Sequence, residues 1–123
     1  MSKVLIVEDD QLFAKMYQKK FLREGIEIST AYDGEEGLQK IEETHPDVVI
    51  LDLMLPKMSG TDVLRKLKAD PKLKETPVII MTNLNASSEE VSEAMKLGVK
   101  ETVLKTDVTP AQIVEVVKKY LRD

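Results

Sequence analysis

Val48-Val49-Ile50-Leu51-Asp52 is the stretch on which the fold turns. Four consecutive branched apolar residues leave no face for water, so the run fits a parallel strand covered on both sides. The run ends in a carboxylate. Pro46 stops what precedes it. Upstream, Val4-Leu5-Ile6-Val7 repeats the pattern and ends in Glu8-Asp9-Asp10. Downstream, Val78-Ile79-Ile80-Met81 follows Pro77 and ends in Thr82, and Thr102-Val103-Leu104 ends in Lys105. Glu27 to Ala31 is more polar, which suits an edge strand.

Amphipathic stretches fill the intervals. Leu12, Phe13, Met16, Tyr17 and Phe21 recur at helical spacing and stop at Gly25. Asp33 with Glu36 opens a helix carrying Leu38 and Ile41. Ser59-Gly60 opens one carrying Val63, Leu64 and Leu67. Ser87 and Glu90 have capping-box spacing before Val91, Ala94, Met95 and Leu97, and Gly98 closes that helix. Thr109-Pro110-Ala111-Gln112 starts the last helix, whose inner face is Ile113, Val116, Val117 and Leu121. Five strands alternating with five helices predict an α/β fold: a parallel sheet with helices on both faces.

A chain of 123 residues suits one domain, 1–123, with one core. With no cysteine, disulfides and thiolate chemistry are excluded. A net charge of −4 argues against direct nucleic-acid binding, and 4% aromatics leave little for base stacking. No signal-like N-terminus is present, nor any apolar run of about 18 residues. The expected location is therefore the cytoplasm, with no membrane contact. No helix carries a conspicuous apolar surplus, so a monomer is expected.

In open parallel sheets ligands bind beyond the carboxyl ends of the strands. The residues there are Glu8, Asp9, Asp10, Asp52, Thr82 and Lys105. Unpaired carboxylates in one cleft repel and are costly to desolvate, and a hard divalent cation resolves both problems. Mg²⁺ prefers oxygen ligands and takes one or two carboxylates. A metal, an ammonium and a hydroxyl around one carboxylate suit phosphoryl transfer, where negative charge spreads over the equatorial oxygens. The carboxylate can itself be the nucleophile. Asp52 stands alone at a central strand's end and suits that role, while Glu8 and Asp9 suit the metal. Asp10 reads as a helix N-cap. His45, the only histidine, reads as a surface residue at a helix end.

The chain resembles a two-component response-regulator receiver domain of the stand-alone chemotaxis type. The matching residues are Ile6-Val7-Glu8-Asp9-Asp10, Leu51-Asp52-Leu53-Met54-Leu55-Pro56, Gly60, Met81-Thr82 and Lys105. The match runs the whole length. It implies a flavodoxin-like (βα)5 fold with strand order 2-1-3-4-5. It implies Asp52 as phosphoacceptor and Mg²⁺ (Mn²⁺ the alternative ion) on the side chains of Asp9 and Asp52. Glu8 would act through water, and Met54 would offer its backbone carbonyl. Thr82 and Lys105 would contact the phosphoryl oxygens. The implied phosphodonor is a sensor histidine kinase or a histidine phosphotransfer protein. The domain would catalyse its own phosphorylation and dephosphorylation. With no output domain in view, signalling would run by docking to a downstream partner. That dock would be the face of the fourth helix, fifth strand and fifth helix, including Ala94, Lys96, Val103 and residues near Tyr120.

Three positions depart from the family pattern. Thr102 stands where an aromatic is usual, Thr106 where proline follows the lysine, and Asn83 where a small residue follows the hydroxyl. A cis bond before Thr106 would cost about 3 kcal/mol. The expectation is that activation moves the loop 82–86 without an aromatic swing. Met54 and Leu84, two residues beyond Asp52 and Thr82, are apolar and would not help water attack. Met54 and Met58 read as loop packing, and Lys19-Lys20 and Lys118-Lys119 as solvated faces. Three other functions fit parts of the pattern: a phosphorelay intermediate, a Mg²⁺-dependent phosphohydrolase, and a pseudo-receiver that docks without phosphorylation. A phosphohydrolase usually has a second acid two residues after its nucleophile, where Met54 stands here.

Overall fold

The apolar runs and the more polar stretch at Glu27 all form strands: β1 (Lys3–Val7), β2 (Glu27–Ala31), β3 (Val48–Leu51), β4 (Val78–Thr82) and β5 (Glu101–Leu104). The structure is a computed structural model that describes residues 3–84 and 88–121. All neighbouring strands are parallel, in the order β2-β1-β3-β4-β5. The helices are α1 (Gln11–Arg23), α2 (Gly34–Thr44), α3 (Gly60–Ala69), α4 (Glu89–Lys96) and α5 (Pro110–Lys118).

The central runs are apolar at every position because successive side chains enter different layers. Val4, Ile6, Val48, Ile50, Ile79 and Met81 pack with Tyr17 and Phe21 of α1 and with Ile113, Val114 and Val117 of α5. Leu5, Val7, Val49, Leu51, Val78 and Ile80 pack with Ile41, Val63, Leu64, Leu67, Val91 and Ala94 from α2, α3 and α4. Each such side chain contributes about 2 kcal/mol by burial. A one-residue slip of β3 would still bury apolar groups on both faces, so burial alone does not set its register. The strand ends help do so: Asp47 N–H donates to Lys3 O at 2.8 Å and Asp52 N–H to Val7 O at 3.2 Å. Both ends of β3 are thus tied to β1, which holds Asp52 just past the sheet.

The helices differ from the sequence reading in detail. On α1, Ala14, Tyr17 and Phe21 are buried, while Leu12 is 80% and Met16 46% exposed. The two large aromatics set the rotation of the helix, and the remaining apolar stripe lies outside the interface. On α4, the cap is Ser88, whose hydroxyl accepts from Val91 N–H at 3.2 Å. Ser87 lies outside the described residues, and the residue three past Ser88 is Val91, so no capping box forms. On α5, Thr109 and Gln112 do form the reciprocal box. Val114 is buried there, while Val116 is only partly covered. His45 is exposed, with φ +46°, at the end of α2. No helix among the described residues is long and apolar enough to cross a membrane.

Candidate functional site

Parallel topology brings the carboxyl ends of β1, β3, β4 and β5 to one edge. Glu8 follows β1 and is 1% exposed; Asp52 follows β3 and is 5% exposed. Asp9 is exposed at the mouth. One carboxylate oxygen from each of the three lies within 4.8 Å of the other two. Asp10 turns away and caps α1, its Oδ1 accepting from Phe13 N–H at 3.1 Å. Its own N–H donates to Glu8 Oε2 at 2.9 Å.

Lys105 closes the cluster from β5. Its Nζ donates to Asp52 Oδ2 at 2.6 Å and pairs with Glu8 Oε1. The lysine side chain is 11% exposed. Burial pushes the Glu8 carboxyl above its ordinary range; Lys105 pulls against this, and the Asp52 charge adds to it. Burial also works against the charge of Lys105, but the two carboxylates outweigh it and hold the ammonium above its ordinary pKa.

One ammonium faces three carboxylates, so the pocket is short of positive charge. Glu8 Oε1 touches that ammonium, yet among the described residues no donor meets it with hydrogen-bond geometry. A buried carboxylate oxygen with spare acceptor capacity beside two more carboxylates fits a hard divalent cation. Glu8, Asp9 and Asp52 are the side chains that could hold it. The N–H of Met54 donates to Asp52 Oδ1 at 3.1 Å, which keeps the Met54 backbone against the acid. The Met54 side chain is 59% exposed, so it does not pack as the sequence reading had it; Met58 does.

Thr82 ends β4 and is 1% exposed. Its Oγ accepts from Leu84 N–H at 3.3 Å, leaving the hydroxyl proton free to donate elsewhere. It pairs in register with Leu104, so it lies beside the strand end that carries Lys105.

The loop after Asp52 is shaped by features the sequence reading passed over. A Cβ on Gly60 would lie 2.0 Å from the Asp52 carbonyl oxygen, so only glycine lets α3 begin this close. Met58 N–H bonds back to Pro56 O at 2.8 Å across Lys57, whose φ is +68°. Gly34 N–H also donates to Pro56 O, at 3.3 Å. A γ-turn thus ties this loop to α2. The glycines were visible in the sequence, but what each approaches was not.

The departures lie on the other flank. Lys105–Asp107 forms a 3₁₀ turn, and the described residues contain no cis peptide. Thr102 is half-buried and lines a cavity of about 180 Å³ with Thr82, Leu84, Val91, Val103, Leu104 and Asp107. Asn83 is exposed. Residues 85 and 86 of the loop expected to move lie outside the described residues. The expected docking face needs one correction. Ala94 is fully buried against the sheet and offers nothing to a partner, whereas Lys96 is exposed.

The model of the response regulator receiver domain matches residues 4–118. The chain belongs to that family. Its curated relatives include the polar-differentiation response regulator DivK of Brucella ovis, 32% identical over 98% of this chain and 96% of the relative. Among solved structures, the CheY-like receiver domain protein of Methanospirillum hungatei JF-1 is 28% identical, with a TM-score of 0.88 over 97% of this chain and 92% of that one. The receiver domain of sensor histidine kinase PA1611 from Pseudomonas aeruginosa was solved with a magnesium ion coordinated in its active site cleft. It is 19% identical over 97% of this chain and 96% of that one, with a TM-score of 0.85, and shares the fold. Receiver domains bind Mg²⁺ in an acidic pocket, and this chain carries an acidic group of Glu8, Asp9 and Asp52 that could hold a metal ion.

Proposed function

We propose that this receiver takes a phosphoryl group on Asp52 from a phosphohistidine donor and signals by docking to a partner. One observation carries the reading: a buried aspartate at the end of the central strand, bonded to Lys105 at 2.6 Å and clustered with Glu8 and Asp9. The donor would be a sensor histidine kinase or a histidine phosphotransfer protein. An Asp52 carboxylate oxygen attacks phosphorus, the P–N bond breaks, and the imidazole leaves with the electron pair. Lys105 and the Thr82 hydroxyl lie at adjacent strand ends, where they would neutralise the equatorial oxygens. Mg²⁺ bound by Glu8, Asp9 and Asp52, with the Met54 carbonyl, would supply Lewis-acid charge stabilisation. The docking surface then draws on Lys96, Val103 and the surroundings of Tyr120, without Ala94.

The test is to incubate the chain with acetyl phosphate and Mg²⁺ and weigh it intact. One added phosphoryl mass is expected, absent from Asp52→Ala and from a chelated sample. No added mass, together with no binding of beryllofluoride, would leave a phosphorylation-independent docking module. Release of more than one equivalent of product from a small phosphate ester would revive the phosphohydrolase.

A further inference from the structure

Lys105 has a third contact besides its two carboxylates. Its Nζ sits 5.0 Å from the centroid of the Phe13 ring. Phe13 stands in the first turn of α1 and stacks on Tyr17, one turn further along, with centroids 4.8 Å apart and planes at 26°. Tyr17 is buried to 1% exposure, and burial pushes its hydroxyl up to about 12, so it stays neutral beside the ammonium. The Tyr17 ring is locked in the core and in turn holds the Phe13 ring in place. This platform comes from a helix that supplies neither Glu8 nor Asp52.

The lysine needs such a support for two reasons. It opens a short 3₁₀ turn with no side-chain cap, and its flexible four-carbon stem has many rotamers to lose when the ammonium is held in one place. Moreover, its two carboxylate partners are the residues that a divalent cation would share. A partner so divided holds the ammonium less firmly, whereas the negative face of a ring is not divided. We infer that Phe13, backed by Tyr17, is a positioning residue that keeps the Lys105 ammonium at the cleft during phosphoryl transfer. The inference rests on the reading of Asp52 as phosphoacceptor and deepens it.

Phe13→Leu keeps apolar cover but removes the ring face, and Phe13→Tyr keeps the face. Phosphorylation by acetyl phosphate should slow about three- to tenfold in Phe13→Leu and return to within twofold in Phe13→Tyr. In a Lys105→Ala background the same leucine change should have less than a twofold effect, because the ring acts through the lysine. Independently of activity, the Lys105 ε-methylene protons should show an upfield ring-current shift by NMR that Phe13→Leu abolishes. Thermal unfolding of each variant shows whether it is folded. An unchanged rate in folded Phe13→Leu, equal slowing in the Lys105→Ala background, or an absent ring-current shift would overturn the inference while leaving Asp52 as acceptor. A wild-type chain that takes no phosphoryl group would overturn both.

Discussion

Two flanks of one sheet edge are built on opposite principles. Around Asp52 the site is overdetermined. Lys105 and the Met54 N–H each hold one oxygen, the Val7 carbonyl holds the backbone, and a glycine admits α3 within reach. Between α4 and β5 the structure is loose. Thr102 leaves a cavity of about 180 Å³, and β5 is half-buried along its whole length. The same strand serves both flanks, since Thr102 and Lys105 lie three residues apart. The acidic pocket tolerates little because charges at close quarters must balance. The outer flank carries no buried charge and can vary as long as apolar contact survives.

The largest effect should follow from unbalancing the pocket. Lys105→Met leaves Glu8 and Asp52 buried without their counter-ion. It should destabilise the chain by about 3 kcal/mol at neutral pH, measured by urea unfolding. Millimolar Mg²⁺ should restore much of that loss. A stability equal to wild type without Mg²⁺ would mean that the lysine is not the pocket's main source of balance.

A smaller effect of opposite sign is expected on the other flank. Thr102→Phe places an apolar ring against the cavity and should raise stability by about 1 kcal/mol. The rate of phosphorylation by acetyl phosphate should stay within twofold. A rate change as large as that of a pocket variant would show that the flanks are coupled through β5 rather than independent.

The third effect is a slope. Burial raises the folded-state pKa of Glu8 above its ordinary value of 4.5, so the native chain holds this proton more tightly than the unfolded chain. That contribution to stability is fully present below pH 4.5 and is lost as pH rises through the raised value. Glu8→Gln has no such loss. The unfolding free energy of Glu8→Gln relative to wild type should therefore increase from pH 4 towards pH 7 in the absence of divalent cations. A flat difference would sink the assignment of burial as the dominant influence on Glu8.

Short apolar runs bounded by turn residues and alternating with amphipathic stretches determined the parallel α/β fold, because a strand covered on both faces leaves no polar position and the amphipathic stretches supply the cover. Each run is also followed by residues of distinct chemistry, so Glu8, Asp9, Asp52, Thr82 and Lys105 are legible at the strand ends from the sequence itself. The rotation of helices about their axes was not legible. Leu12 and Met16 share the helical period of Tyr17 and Phe21, and periodicity cannot say which of two adjoining apolar stripes meets the sheet. The choice of Ser88 over Ser87 as cap, the burial of Ala94 and the exposure of Met54 were likewise settled only by packing. The ring beneath Lys105 belongs to the same class. Phe13 and Lys105 are far apart in the chain and share no pattern, and they meet because α1 and β5 both reach the carboxyl edge of the sheet. Local chemistry along the chain determined which residues end the strands; tertiary packing decided which neighbours those residues face, because contacts between distant segments leave no periodic trace in the sequence.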